Sequence, residues 1–147
     1  MTFIHYDAPI LPTLKRQQDA SGKRWYTTPE GNKYPSVTTM LGHKEKPWLE
    51  DWRKMLGDDK AKKETQRTAD RGTAIHELIE KYLRNEPYPD FTRGYKSEYV
   101  AGFNQLKLRL NKVNNIRAQE TQLYSDSLRL AGTVDCIGEY EGTLCIV

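Results

Sequence analysis

The chain has 147 residues with 23 Lys and Arg against 20 Asp and Glu, a net charge of +3, 37% hydrophobic and 29% charged residues. A mean hydropathy of −0.82, with no apolar run near the roughly 18 residues a membrane span needs, excludes a transmembrane reading. Trp25, Trp48 and Trp52 bring large apolar surfaces that argue against a wholly disordered chain.

The charge is unevenly placed: residues 1–70 and 71–115 each sum to +3, and residues 116–147 to −3. A basic body joined to an acidic end suits a protein that holds a polyanion against a cation site; a solvated surface with a chance skew is the plainer alternative. Cys136 and Cys145 fall in strand-like apolar runs, as buried thiols of a reducing compartment do. Two cysteines cannot supply the four thiolates of an iron–sulfur cluster, so none is expected.

In chain order, residues 1–24 are polar and weakly patterned and read as an extended arm, with Pro9 and Pro12 opposing helix and no secretion signal. Trp25 to Thr28, then Pro29-Glu30-Gly31-Asn32, then Lys33-Tyr34 predict a β-hairpin. Ser36 is placed to cap a short helix that puts Val37, Met40 and Leu41 on one face and stops at Gly42. His5 and His43 lie in arm or loop sequence and take no role.

Pro47 suits a first helical position, and Trp48, Leu49, Trp52, Met55 and Leu56 follow with helical spacing until Gly57. Asp58 to Asp70 is charged and, if helical, mostly exposed. Arg71-Gly72-Thr73, with Thr73 as a candidate cap, leads into a helix over 74–84 with Ile75, Leu78, Ile79, Tyr82 and Leu83 on its apolar stripe. A long amphipathic helix is predicted from Tyr95 to Val113, closed by Asn114-Asn115. Beyond it the period alternates, giving strands over 116–124, 128–140 and 143–147, the last two joined by a tight Glu141-Gly142 turn.

Three residues draw attention as chemistry. Alternation puts Leu130, Val134, Cys136 and Tyr140 on one strand face and Ala131, Thr133, Asp135 and Ile137 on the other, so the Asp135 carboxylate is expected among small and apolar neighbours unless it faces solvent at the strand end. His76 lies at the edge of the helical stripe, where it can reach into a cleft or pair with Glu80 at i, i+4. Glu120 could align with Asp135 on a neighbouring strand, and two acids on one sheet face make the oxygen-rich site that Mg²⁺ prefers. Arg71 could contact a phosphate or serve structure alone.

Tyr34-Pro35-Ser36-Val37-Thr38-Thr39-Met40-Leu41, then Arg71-Gly72-Thr73-Ala74-Ile75-His76-Glu77-Leu78-Ile79-Glu80, then Glu120 through Leu130-Ala131-Gly132-Thr133-Val134-Asp135-Cys136-Ile137 resemble, in that order, the RecB-type branch of the PD-(D/E)XK nucleases. Within that branch the resemblance is to the phage and mitochondrial-genome-maintenance exonucleases, and it covers about residues 25–147. It implies an α+β, restriction-endonuclease-like domain, with an N-terminal helical region packed on an incomplete, mainly antiparallel central sheet.

The same resemblance implies a Mg²⁺- or Mn²⁺-dependent DNA exonuclease preferring single-stranded ends, in the cytoplasm of a phage-infected or bacterial cell, an organelle remaining open. His76 and Asp135 would then be metal ligands, Glu120 a supporting acid, and Arg71, Ser36 and Thr38 strand contacts. Such nucleases follow the aspartate strand with a D-x-K motif, which is expected just past Val147, so this chain alone is expected to be inactive. A non-catalytic nucleic-acid-binding module or subunit is the second reading.

Overall fold

A computed structural model describes residues 1–7, 11–42 and 46–147; the readings of Pro9 and His43 fall outside the described residues. The elements in chain order are β1 (Lys15–Gln18), β2 (Arg24–Thr27), β3 (Lys33–Pro35), α1 (Val37–Leu41), α2 (Pro47–Leu56), α3 (Asp58–Leu83), α4 (Ser97–Leu110), β4 (Val113–Ser125), β5 (Leu130–Tyr140) and β6 (Thr143–Ile146), with a 3-10 turn over Asp90–Thr92. The class is the expected α+β. The chain divides into two compact units, a helical one formed by Met1–Ile4 and Lys46–Asn114, and a sheet unit formed by His5–Glu45 and Asn115–Val147.

In the helical unit, α2 begins with Pro47 at its first turn and ends where Gly57, at φ 83°, donates its N–H to the Arg53 carbonyl. Only a residue free of Cβ strain takes that backbone easily. The next helix departs from expectation: α3 is continuous through Arg71, Gly72 and Thr73, so Thr73 lies in a helix interior and caps nothing. One interior glycine costs about 1 kcal/mol relative to alanine, less than nucleating a second helix. Asp58 and Asp59 sit in the first turn, where the helix dipole favours them.

The far end of α3 closes on a residue in the left-handed region. Asn85, at φ 62°, donates its N–H to Tyr82, and Glu86 donates to Lys81, the paired bonds of a Schellman cap. The Asn85 side chain also accepts from the Phe3 N–H at 2.7 Å and donates to the Phe3 carbonyl at 2.9 Å. Phe3 is thereby held against Tyr82, ring to ring at 5.1 Å, and Tyr82 meets Phe103 of α4 edge-on at 5.4 Å. These rings and Leu78 form the buried interior of the unit. Helix α4 is shorter than its apolar spacing predicts: Asn111 caps it and Val113 already belongs to β4.

The sheet unit holds two three-stranded sheets, ordered β1-β2-β3 and β4-β5-β6. The expected hairpin is present, with Tyr26 opposite Tyr34. The expected arm instead supplies β1, antiparallel to β2 with Arg16 opposite Tyr26, and buries Leu14 with Tyr26, Tyr34 and Ala131. Apolar side chains separated by polar runs hid this role from the sequence pattern. At the β5–β6 turn Glu141 and Gly142 take φ 51° and 82°, the left-handed pair of a two-residue hairpin whose twist matches the strands.

Candidate functional site

A cavity of about 740 Å³ opens in the sheet unit. Strands β1 and β2 contribute Arg16 and Arg24, α1 and its cap contribute Ser36 and Thr38, and β4 and β5 contribute Glu120, Thr133 and Asp135. Leu123, Leu130 and Ile146 make much of the remaining wall. Two carboxylates, two guanidiniums and several hydroxyls thus share one apolar-walled recess.

The elements explain the placement. Ser36 forms an isolated parallel bridge with Ala131, which seats the start of α1 beside β5. A Cβ at Gly132 would meet Val37 Cγ2 at 3.6 Å, so α1 packs closely on this stretch of strand. Ser36 itself is buried; its Oγ accepts from the Thr39 N–H at 3.0 Å and is bonded to the hydroxyls of Thr38 and Thr39, both at 2.9 Å. Its hydroxyl is therefore engaged in the cap, whereas Thr38 stands exposed on the cavity wall.

Asp135 is exposed, not enclosed among apolar neighbours. On β5 the buried positions are Ala131, Cys136 and Gly138, so burial does not follow a single face: Thr133 and Asp135, which alternation puts on the side of Ala131, are exposed. Burial pushes the Cys136 thiol up to about 11, with the neighbouring Cys145 and Asp135 adding to the rise. Thr133 meets the Tyr26 hydroxyl at 3.2 Å, which joins the two sheets directly ahead of Asp135.

Glu120 reaches the same cavity through an unusual backbone. Its φ is 49° in the middle of β4, a left-handed conformation costing a side-chain-bearing residue about 1–2 kcal/mol. The break in alternation re-aims the carboxylate, as bulged positions in strands do.

Arg71 and His76 lie on α3 of the helical unit. His76 is half-buried, and Glu80 follows one turn later with its carboxylate 2.6 Å from Arg84. Arg71 is exposed, with its guanidinium close to α4 at Gly102. Sequence reasoning missed Arg16, Arg24, Tyr26 and Thr133. No sequence signal marked the arginines: Lys15–Gln18 is polar and exposed throughout, without alternation.

Glu120 and Asp135 both line this recess, and carboxylate oxygens are the donors a hard divalent cation takes. The guanidiniums beside them suit a phosphate, which they can grip through paired N–H donors. Among the described residues no helix is long and apolar enough to cross a membrane.

No protein-family profile matches the chain. It is similar to mitochondrial genome maintenance exonuclease 1 of Mus musculus, 27% identical in an alignment that covers 92% of this chain and 42% of that protein. It is also similar to the Homo sapiens protein of the same name, 30% identical in an alignment that covers 79% of this chain and 36% of that protein. The chain therefore spans well under half the length of these relatives.

Proposed function

We propose that the whole protein is a metal-dependent DNA exonuclease of the RecB-like PD-(D/E)XK type, acting on single-stranded ends. The observation that carries the reading is the meeting of Glu120 and Asp135 with Arg16 and Arg24 in one recess of a chain similar to two exonucleases. Asp135 and His76 are the proposed ligands of Mg²⁺ or Mn²⁺, with Glu120 as the supporting acid. A bound divalent ion would polarise the phosphodiester and lower the pKa of the attacking water.

The protein's own groups do the rest in this reading. Arg16 and Arg24 hold the non-bridging phosphate oxygens and offset the charge that develops on them. Thr38 donates to the strand, and Ser36 fixes Thr38 by capping α1. Arg71 is a further proposed phosphate contact. The activity belongs to the whole protein, and this chain alone is proposed to be inactive. Location in the cytoplasm of a phage-infected or bacterial cell is likewise a proposal, and the mitochondrial names of the two relatives fit an organelle as well.

The test is cleavage of end-labelled single-stranded DNA by the whole protein with Mg²⁺, Mn²⁺ or EDTA. Cleavage should require metal and should fall by at least about 100-fold in Asp135→Ala and in His76→Ala. Unchanged metal-dependent cleavage in Asp135→Ala would end the site assignment. Tight DNA binding without cleavage under any metal would replace the enzyme by a non-catalytic binding module.

A further inference from the structure

A second cavity, of about 660 Å³, lies beside the first in the sheet unit, and Leu128 and Leu130 line both. Its composition differs. Trp25 and Tyr34 supply aromatic surface, Lys33 and Arg129 supply positive charge, Asn32 offers amide donors and acceptors, and Met40 adds an exposed apolar edge. Among the described residues no carboxylate lines it.

The cavity is built rather than incidental. The Tyr34 hydroxyl donates to Asp126 at 2.6 Å, tying β3 to the β4–β5 turn that carries Arg129. Arg129 is held at φ 51°, so the turn directs it from a conformation seldom adopted by arginine. Lys33 stands over the Trp25 ring at 5.2 Å, and the indole Nε1 donates to Asp19 at 3.2 Å, which orients the ring. An oriented indole beside cations is the pairing that single-stranded nucleic acid uses, a base stacking on the ring while its phosphate meets the charge.

We infer that this cavity is a nucleotide subsite for single-stranded DNA, in which a base stacks on Trp25 and the adjoining phosphates meet Lys33 and Arg129. The inference rests on the proposed function, since the shared Leu128–Leu130 wall lets one strand run from the acid-bearing recess into this one. The occupant is a nucleotide because the aromatic and cationic groups stand together in a wall that no carboxylate among the described residues lines, Asp19 and Asp126 being engaged by the Trp25 indole and the Tyr34 hydroxyl. The cavity volume lies within the usual range for small-molecule sites.

The experiment uses the full chain in EDTA, so that binding is read without hydrolysis. In a Trp48→Phe/Trp52→Phe background Trp25 is the only indole, and oligothymidylate should quench its emission saturably. The double variant Lys33→Ala/Arg129→Asn, in which asparagine tolerates the left-handed backbone, should bind about tenfold more weakly. Its dependence of log K on log salt should be shallower by about 1.4, the loss of two phosphate contacts on a single strand. Circular dichroism of each variant checks the fold.

Saturating oligonucleotide with unmoved Trp25 emission overturns the subsite, as do an unchanged affinity and salt slope in the folded double variant. The two readings fail separately. Absence of metal-dependent cleavage by the whole protein with Trp25 quenching intact removes the nuclease, whereas intact cleavage with emission and salt slope unmoved removes the subsite.

Discussion

The hydroxyl of Tyr26 stands 3.2 Å from that of Thr133, linking β2 of the first sheet to β5 of the second. Thr133 is two residues ahead of Asp135 on the same strand face, so the bond sets where the carboxylate begins. A single hydroxyl pair, partly buried, contributes about 0.5–1.5 kcal/mol. Tyr26→Phe keeps the ring in its core cluster and removes only that bond. Urea denaturation should show a loss within that range, and no loss would mean that this hydroxyl pair contributes nothing to holding the two sheets together.

Glu120 illustrates a conflict between stability and placement. Its left-handed φ of 49° is unfavourable for glutamate and costless for glycine. Relief of strain is partly offset by the larger chain entropy of glycine when unfolded, worth about 0.4–1 kcal/mol. Glu120→Gly should therefore be at least as stable as the parent by thermal melting while losing metal-dependent cleavage in the whole protein. A variant that is markedly less stable would show that the carboxylate anchors β4 instead.

The helical unit offers an independent test of close packing. A Cβ on Gly102 would sit 2.7 Å from Ile75 Cδ1, the mobile end of a side chain on α3. Ile75 can yield, and alanine returns about 1 kcal/mol of helix propensity, so Gly102→Ala should stay within about that amount of the parent. Gly102→Leu brings bulk that Ile75 cannot clear, and should cost about 1–3 kcal/mol. Equal stability of the leucine and alanine variants would refute the tight approach of α3 and α4.

The Tyr34 contact makes stability depend on alkaline pH. Donation to Asp126 stabilises the neutral phenol and raises its pKa above the ordinary value, burial adding to the effect. A folded pKa above the unfolded one contributes stability that is complete below the unfolded value and disappears as pH rises through the folded one. The advantage of the parent over Tyr34→Phe should thus be full at neutral pH and vanish well above pH ~10. An advantage unchanged across that range would show that the hydrogen bond contributes nothing.

The amino-acid sequence by itself determined those features that neighbours along the chain decide. Ser36 caps α1, Pro47 and Gly57 bracket α2, and Glu141-Gly142 turns β5 into β6. Each rests on sterics or hydrogen bonds spanning a few residues. Continuity of α3 through Gly72 depended on a balance between one poor residue and a costly new nucleus, which motif reading resolved in the wrong direction.

Tertiary structure alone decided what the residues far apart in the chain do together. Leu14 and Phe3 became interior, where partners more than a hundred and about eighty residues away accept their backbone N–H groups, and β1 became a strand by pairing with β2. Pairing register settled that Arg16 and Arg24 join Glu120 and Asp135 in one recess. No local pattern encodes that register, since a shift of one residue turns every side chain to the opposite face. The left-handed backbone of Glu120 has no local sequence mark either, and it persists because the surrounding sheet holds it.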